Sequence, residues 1–162
     1  EQDNSENIKG EFERADSQFS FSCKMIIQVT AGLIFREGKL LITQRPKGSH
    51  LAGLWEMPGG KQDPGETLPE CLKRELREEL GVEVAVHELL HECEHEYPLK
   101  TVKLHFFRCT LLRGEPRPIQ CENLAWVTAR ELSQYEFPPP DTTLVDTLQF
   151  GELSSLFISQ LT

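Results

Sequence analysis

The sequence predicts a domain of the α+β class, in which strands and helices pack as layers. Segments rich in β-branched and apolar residues recur along the chain and predict strands. Two segments with apolar residues at helical spacing, 68–80 and 142–149, are interleaved with these strands. Since a strand and a helix each bury one apolar face, this order favours a layered packing of both kinds of element.

The first part of the chain predicts an extension followed by a β-hairpin. Residues 1–22 are polar and acidic, and we expect them to be a flexible N-terminal extension. A single domain is expected over residues 23–162, a length that suits one hydrophobic core. Within it, residues 25–35 and 40–44 predict two strands joined by a short turn.

A tight glycine turn and a capped helix come next. Gly59 and Gly60 form the turn, and Thr67 is placed to cap the helix with Glu70 completing a capping box. Gly81 follows the last periodic leucine and can take the left-handed conformation that ends a helix. The sequence therefore predicts both ends of this helix.

The same helix predicts an apolar face and a carboxylate edge. A rotation of about 100° per residue aligns four leucines, Leu68, Leu72, Leu76 and Leu80. Glu75, Glu78 and Glu79 project beside this face, where like charges repel one another. A hard divalent cation, Mg²⁺ or Mn²⁺, is the natural partner for such oxygen donors. Arg74 is placed to reach Glu78, or back to Glu66, and to orient a ligand.

The second half of the chain predicts further strands and short helices. The strands are expected at residues 82–86, 89–97, 102–112 and 123–127. The helical segments are expected at residues 129–132, 142–149 and 152–161. A rigid proline run at residues 137–140 precedes Asp141, which we expect to cap the helix that follows.

Charge and composition narrow the classes of function. The net charge of −9 argues against a stable complex with nucleic acid, which requires a basic face. No apolar run approaches membrane-spanning length and no secretory signal is visible, so we expect a cytoplasmic protein, either monomer or homodimer. The five cysteines are scattered and odd in number, which favours reduced thiols. A zinc site at His91, Cys93 and His95 is disfavoured because no fourth ligand is evident.

The spacing around the glycine turn resembles a known family signature. Gly60, five residues, Glu66, seven residues, and then residues 74–82 match the Nudix box over 23 residues. The resemblance implies the Nudix α/β/α sandwich, with a mixed sheet and a catalytic loop–helix. It implies that Glu66 and Arg74 support the catalytic geometry. It also implies that Mg²⁺, or Mn²⁺, is held by the Gly59 carbonyl and by Glu75, Glu78 and Glu79.

Flanking segments sharpen the resemblance to the MutT-type branch. Residues 44–46, 53–61 and 137–141 carry it, and the similarity covers about residues 25–150. It implies hydrolysis of nucleoside triphosphates to the monophosphate and pyrophosphate, with removal of oxidised nucleotides such as 8-oxo-dGTP. Phosphoanhydride hydrolysis needs a metal and an activated water. Carboxylates such as Glu75 and Glu78 can bind the metal and accept the proton of the water.

Base recognition is expected from residues outside the Nudix box. The substrate-binding candidates are Arg45, Glu56, His105 and Asp141. In 8-oxo-dGTP hydrolases of this type an asparagine stands at the position of Asp141. An ionised aspartate only accepts hydrogen bonds, which suits the cytosine amine, whereas a protonated one can donate. An enzyme for CTP or 5-methyl-dCTP is therefore an alternative.

One position departs from the pattern. MutT-type proteins usually carry a glutamate six residues before the tryptophan at position 126, and here that residue is Gln120. Glutamine cannot accept a proton, so Glu122 is a further catalytic candidate. A non-catalytic 8-oxoguanine-recognition module is disfavoured because the glutamate cluster is intact and the chain is acidic. A Nudix enzyme for a nucleotide sugar or a capped RNA end remains a rival.

Overall fold

The computed structural model describes residues 24–159 of the chain. The prediction for residues 1–22 lies outside this range, as does the end of the predicted C-terminal segment. The strands are β1 Met25–Arg36, β2 Lys39–Gln44, β3 Trp55–Glu56, β4 Gly59–Lys61, β5 Glu83–Glu96, β6 Lys100–Arg113 and β7 Asn123–Val127. The α-helices are α1 Leu68–Leu80 and α2 Thr142–Phe150, and 3₁₀ turns span Ala129–Gln134, Pro139–Asp141 and Glu152–Phe157.

The strands form one mixed sheet with β1 near its centre. β1 pairs in parallel with β6 and antiparallel with β4, and the end of β1 forms the predicted hairpin with β2. β2 continues the sheet to β3 and β7, while β5 pairs antiparallel with β6 at the other side. The two strands predicted at 82–86 and 89–97 are one strand, because register shifts after Val86 absorb the irregular residues without ending the pairing.

A helical layer covers each face of the sheet, which confirms the α/β/α sandwich. The leucine face of α1 packs on one side, in a core that includes Ile34, Leu41 and Phe107. The α2 helix and the 3₁₀ turns pack on the other side, in a core that includes Leu33 and Phe106. The predicted apolar stripe of α1 is therefore the face that anchors this helix to the sheet.

Both predicted ends of α1 are present. The Thr67 hydroxyl accepts from the Glu70 N–H, the Glu70 carboxylate accepts from the Thr67 N–H, and Gly81 lies at φ 71°. The prediction that Asp141 caps α2 is wrong. Asp141 directly precedes the helix, but its backbone is helical and its side chain makes no capping hydrogen bond. The side chain is instead buried on the cavity side of the sheet.

Candidate active site

Arg74 is the centre of the loop–helix network, as its spacing predicts. Its guanidinium bonds to both carboxylate oxygens of Glu66, and it contacts Glu75 at 2.9 Å and Glu78 at 3.4 Å. It also donates to the Lys61 carbonyl at 3.1 Å. The hydrogen bond from Arg74, followed by one from the loop backbone, lowers the pKa of Glu66 to about 2. The loop carboxylate is therefore ionised throughout the physiological pH range.

Both positions of the turn require glycine, because neighbouring atoms lie where a Cβ would be. A Cβ on Gly59 would collide with the Thr30 carbonyl oxygen on β1. A Cβ on Gly60 would collide with the Glu75 carboxyl group. The Glu75 carboxylate thus occupies the space that the missing Gly60 side chain leaves, and strand β4 lies directly against the carboxylate edge of α1.

Glu79 is partly buried, whereas Glu78 on the same helix is exposed. Its carboxylate accepts from the Gly59 N–H at 3.3 Å. Burial, and then the nearby Glu56 charge, raises the pKa of Glu79 to about 7, although hydrogen bonds from Gly59 and Thr43 oppose this rise. The Glu79 carboxyl at the end of α1 is therefore partly desolvated.

The donor chemistry of this edge suits a divalent cation. The ligands predicted are carboxylate and carbonyl oxygens, which Mg²⁺ and Mn²⁺ prefer, and the Gly60 cradle holds Glu75 against β4. Within residues 24–159, no group of three acidic, histidine or cysteine side chains is arranged to hold a metal ion. His91, Cys93 and His95 form no such group either. In this arrangement Arg74 takes two of the α1 carboxylates, Glu75 and Glu78, as its partners.

A cavity of about 250 Å³ runs along the sheet from the glycine turn to the proline-rich turn. Its apolar lining includes Val29, Val102, Leu104 and Phe106. Its polar lining includes Arg45, His50, Glu56, Lys61, Tyr97, Lys100 and Asp141. One end of the cavity therefore adjoins the α1 carboxylates, and the other end, which we call the base end, holds Asp141.

Three charged side chains meet at the base end. The Arg45 guanidinium donates to Glu56 at 2.8 Å and to the His50 carbonyl at 2.7 Å. Asp141 is only 4% exposed. Burial, and then the Glu56 charge, raises the pKa of Asp141 to about 7, while Arg45 opposes this rise. Near neutral pH the Asp141 carboxyl is therefore present both as a hydrogen-bond donor and as an ionised acceptor.

Four of the predicted residues, Arg45, Glu56, Gly59 and Asp141, line this cavity, and the α1 carboxylates Glu75 and Glu79 lie beside its glycine turn. His105 lies on the opposite face of β6, where its ring bonds to Glu92 at 2.7 Å and to Gln28 at 2.6 Å. Glu122 is exposed and does not line the cavity, and its carboxylate lies 3.6 Å from the Lys47 ammonium. Strand alternation places His105 on one face of β6 but does not say which face carries the cavity.

Sequence reasoning missed several lining residues, among them His50, Tyr97 and Lys100. His50 comes from the loop after β2, and Tyr97 and Lys100 come from the β5–β6 hairpin. The His50 and Tyr97 rings meet edge to face at 6.4 Å, and the Lys100 ammonium lies 5.3 Å from the Tyr97 ring centre. The sequence signal that could have identified two of them is an aromatic residue, Tyr97, and a basic residue, Lys100, on either side of a hairpin turn.

Comparison with known proteins identifies the family. The NUDIX domain matches residues 30–147, which is most of the chain. The chain belongs to the Nudix family. The matched range contains the glycine turn, α1 and Asp141, so both ends of the cavity belong to the Nudix domain.

Relatives of this Nudix domain are similar over most of their length. An 8-oxo-dGTP diphosphatase from Haemophilus influenzae is 40% identical over 126 residues, covering 77% of this chain and 93% of that protein. A CTP pyrophosphohydrolase from Escherichia coli is 38% identical over 121 residues, covering 75% and 90%. The solution structure of the Escherichia coli ORF135 protein aligns with a TM-score of 0.71 at 35% identity, covering 80% and 95%. Within residues 24–159, no helix is long and apolar enough to cross a membrane.

Proposed function

We propose that this Nudix protein hydrolyses (deoxy)nucleoside triphosphates to the monophosphate and pyrophosphate. The observation that carries the proposal is the cavity, which joins the carboxylate edge of α1 to a buried carboxyl group at Asp141. A nucleotide along this cavity has its phosphates beside α1 and its base beside Asp141. Relatives named 8-oxo-dGTP diphosphatase and CTP pyrophosphohydrolase support this class of substrate.

The α1 edge supplies the hydrolytic chemistry of the proposal. Glu75, Glu78, Glu79 and the Gly59 carbonyl would hold Mg²⁺ or Mn²⁺. When bound, such a cation neutralises phosphate oxygens and favours ionisation of a water. Arg74 and Glu66 keep the loop against the helix, so the carboxylates stay on one edge.

Hydrolysis adds one water across a phosphoanhydride bond and releases a proton that a base must accept. Gln120 cannot accept a proton, and Glu122 faces Lys47. We therefore assign proton acceptance to a carboxylate of the α1 cluster, with Glu75 and Glu78 as the catalytic candidates. This assignment explains how the chain works without the glutamate that MutT-type proteins usually carry in the loop.

The base end supports oxidised purine nucleotides, such as 8-oxo-dGTP, as the substrates to be removed. A protonated Asp141 carboxyl both donates and accepts, as a purine edge requires, and its burial favours this form. A second candidate is a cytosine nucleotide such as CTP or 5-methyl-dCTP. It is favoured by the ionised form of Asp141, which accepts from the cytosine amine.

The test is pyrophosphate release with Mg²⁺ from 8-oxo-dGTP, dGTP, CTP and 5-methyl-dCTP. We expect release to be fastest from 8-oxo-dGTP. Preference for the cytosine nucleotides would support the second candidate. No release from any of the four nucleotides would overturn the proposed function, and a further panel of nucleotide sugars and capped RNA ends would then be measured.

A further inference from the structure

The thiol of Cys93 contacts the segment that carries Asp141. Cys93 lies on β5 opposite Leu104 of β6, which lines the cavity. Its Sγ donates to the Pro140 carbonyl at 3.2 Å, which is short for a sulfur donor. Pro140 lines the cavity and directly precedes Asp141. The sheet is therefore hydrogen-bonded to the backbone one residue away from the buried carboxyl group.

Within residues 24–159, the other hydrogen bonds of the Pro139–Asp141 turn are local, and the Glu136 carbonyl before the turn accepts from the Trp55 N–H of β3 at 2.8 Å. The Asp141 N–H donates to the Pro138 carbonyl at 3.0 Å, and the Thr142 hydroxyl donates to the Pro139 carbonyl at 2.8 Å. Local hydrogen bonds maintain the shape of the turn but do not determine its distance from the sheet. The hydrogen bond from Cys93 crosses from β5 to the turn, so it constrains that distance.

The chemistry of Cys93 fits a donor rather than a nucleophile. Burial, and then the Asp141 charge, raises the pKa of Cys93 to about 11. The thiol is therefore protonated at neutral pH, which keeps its hydrogen available to the Pro140 carbonyl and makes the sulfur a weak nucleophile.

We propose that Cys93 is a positioning residue for base selection: its thiol fixes the Pro139–Asp141 turn and thereby places the Asp141 carboxyl in the cavity. The inference rests on the proposed function, in which Asp141 contacts the base. Without the thiol, the turn loses its hydrogen bond to β5, so it can shift away from that strand and admit water to the Asp141 carboxyl. Recognition of the base weakens, while the α1 carboxylates, which lie at the other end of the cavity, are unaffected.

The first test compares Cys93→Ala with Cys93→Ser, which keeps a donor. We expect Cys93→Ala to raise KM for the preferred nucleotide by about 3-fold to 10-fold, as for one lost hydrogen bond, with kcat unchanged. Cys93→Ser is expected to restore KM. Cys109→Ala is the matched control, because Cys109 is a buried thiol that packs on the α1 side and bonds within its own strand. A parallel fall in kcat and in thermal stability for both Cys93 variants would overturn the proposal, because it indicates general destabilisation.

The second test follows the Asp141 carboxyl by ¹³C NMR without any nucleotide. Glu56 and Arg45 are the charged groups facing Asp141, and both remain in every variant. In Cys93→Ala the titration midpoint of Asp141 should move from about 7 toward the ordinary aspartate range, whereas Cys93→Ser and Cys109→Ala should leave it in place. An unchanged midpoint in Cys93→Ala would overturn the positioning role, whatever the turnover. A shifted midpoint in a protein that hydrolyses none of the nucleotides would support the positioning role and contradict the proposed function instead.

Discussion

The two ends of the cavity differ in how far an arginine compensates their carboxylates. At the α1 end, Arg74 compensates several carboxylates at once, and the pKa of Glu66 falls to about 2. At the base end, Asp141 is buried beside a second carboxylate, Glu56, and the pKa of Asp141 rises to about 7. The Glu66 charge is therefore constant near neutral pH. The more buried carboxyl groups, Glu79 beside the glycine turn and Asp141 at the base end, can change their protonation there.

The two ends also differ in how they are assembled. The α1 end comes from the contiguous residues 59–80, held by a capping box and by one arginine. The base end combines Arg45 from the loop after β2, Glu56 of β3 and Asp141 of the proline-rich turn. The carboxylates that we propose to hold the metal are therefore positioned by local structure, while the proposed base site combines elements far apart in the chain.

Glu78→Gln tests the α1 end and should have the largest effect. The substitution keeps the size of the side chain but removes one charged oxygen donor. We expect kcat/KM to fall by about 10³-fold or more, since metal stabilisation of phosphate charge contributes several kcal/mol. Thermal stability should be unchanged, because Glu78 is exposed. Glu152→Gln, an exposed glutamate of the last 3₁₀ turn, is the control. Full Mg²⁺-dependent turnover in Glu78→Gln would contradict the metal assignment.

Asp141→Asn should change how stability depends on pH. The pKa of Asp141 is raised from 3.8 to about 7 in the folded protein, so its contribution to stability is present below about pH 4 and is lost as pH rises through 7. The asparagine variant does not titrate, so its free energy of unfolding should gain on the order of 4 kcal/mol relative to that of wild type between pH 4 and pH 8. Urea unfolding at several pH values measures this gain. Asp146→Asn, at an exposed position of α2, should show no such gain. Parallel pH profiles of stability for Asp141→Asn and wild type would mean that folding does not raise the pKa of Asp141.

Asp141→Asn should also change base preference, and this is the smallest of the three expected effects. Asparagine donates and accepts at every pH, so Asp141→Asn should shift the ratio of kcat/KM for 8-oxo-dGTP over CTP by about 10-fold, within the range for one base contact. In the wild type this ratio should rise as pH falls through 7, and in the variant that dependence should disappear. The ratio is measured with both nucleotides in competition. An unaltered ratio would show that Asp141 does not contact the base.

Prediction from sequence was most successful where the physical cause is local. The Thr67 capping box, the Gly81 stop and the contacts of Arg74 all follow from spacing along one helix. The assignment of His105 to the substrate was less successful, because alternation along β6 separates two faces without identifying them. The separate strands predicted around Val86 failed for a related reason, since a bulge is a property of pairing rather than of sequence.

The sequence by itself determined the loop–helix of this protein: a glycine turn, a capped helix, an apolar stripe and a carboxylate edge. Each of these depends on residues within about one or two helical turns of one another. Only the tertiary structure decided that Asp141 is buried, that Glu56 and Arg45 face it, and that Cys93 holds the turn beside it. Burial and charge proximity depend on the neighbours that the fold supplies, and here those neighbours lie about 50 to 100 residues away.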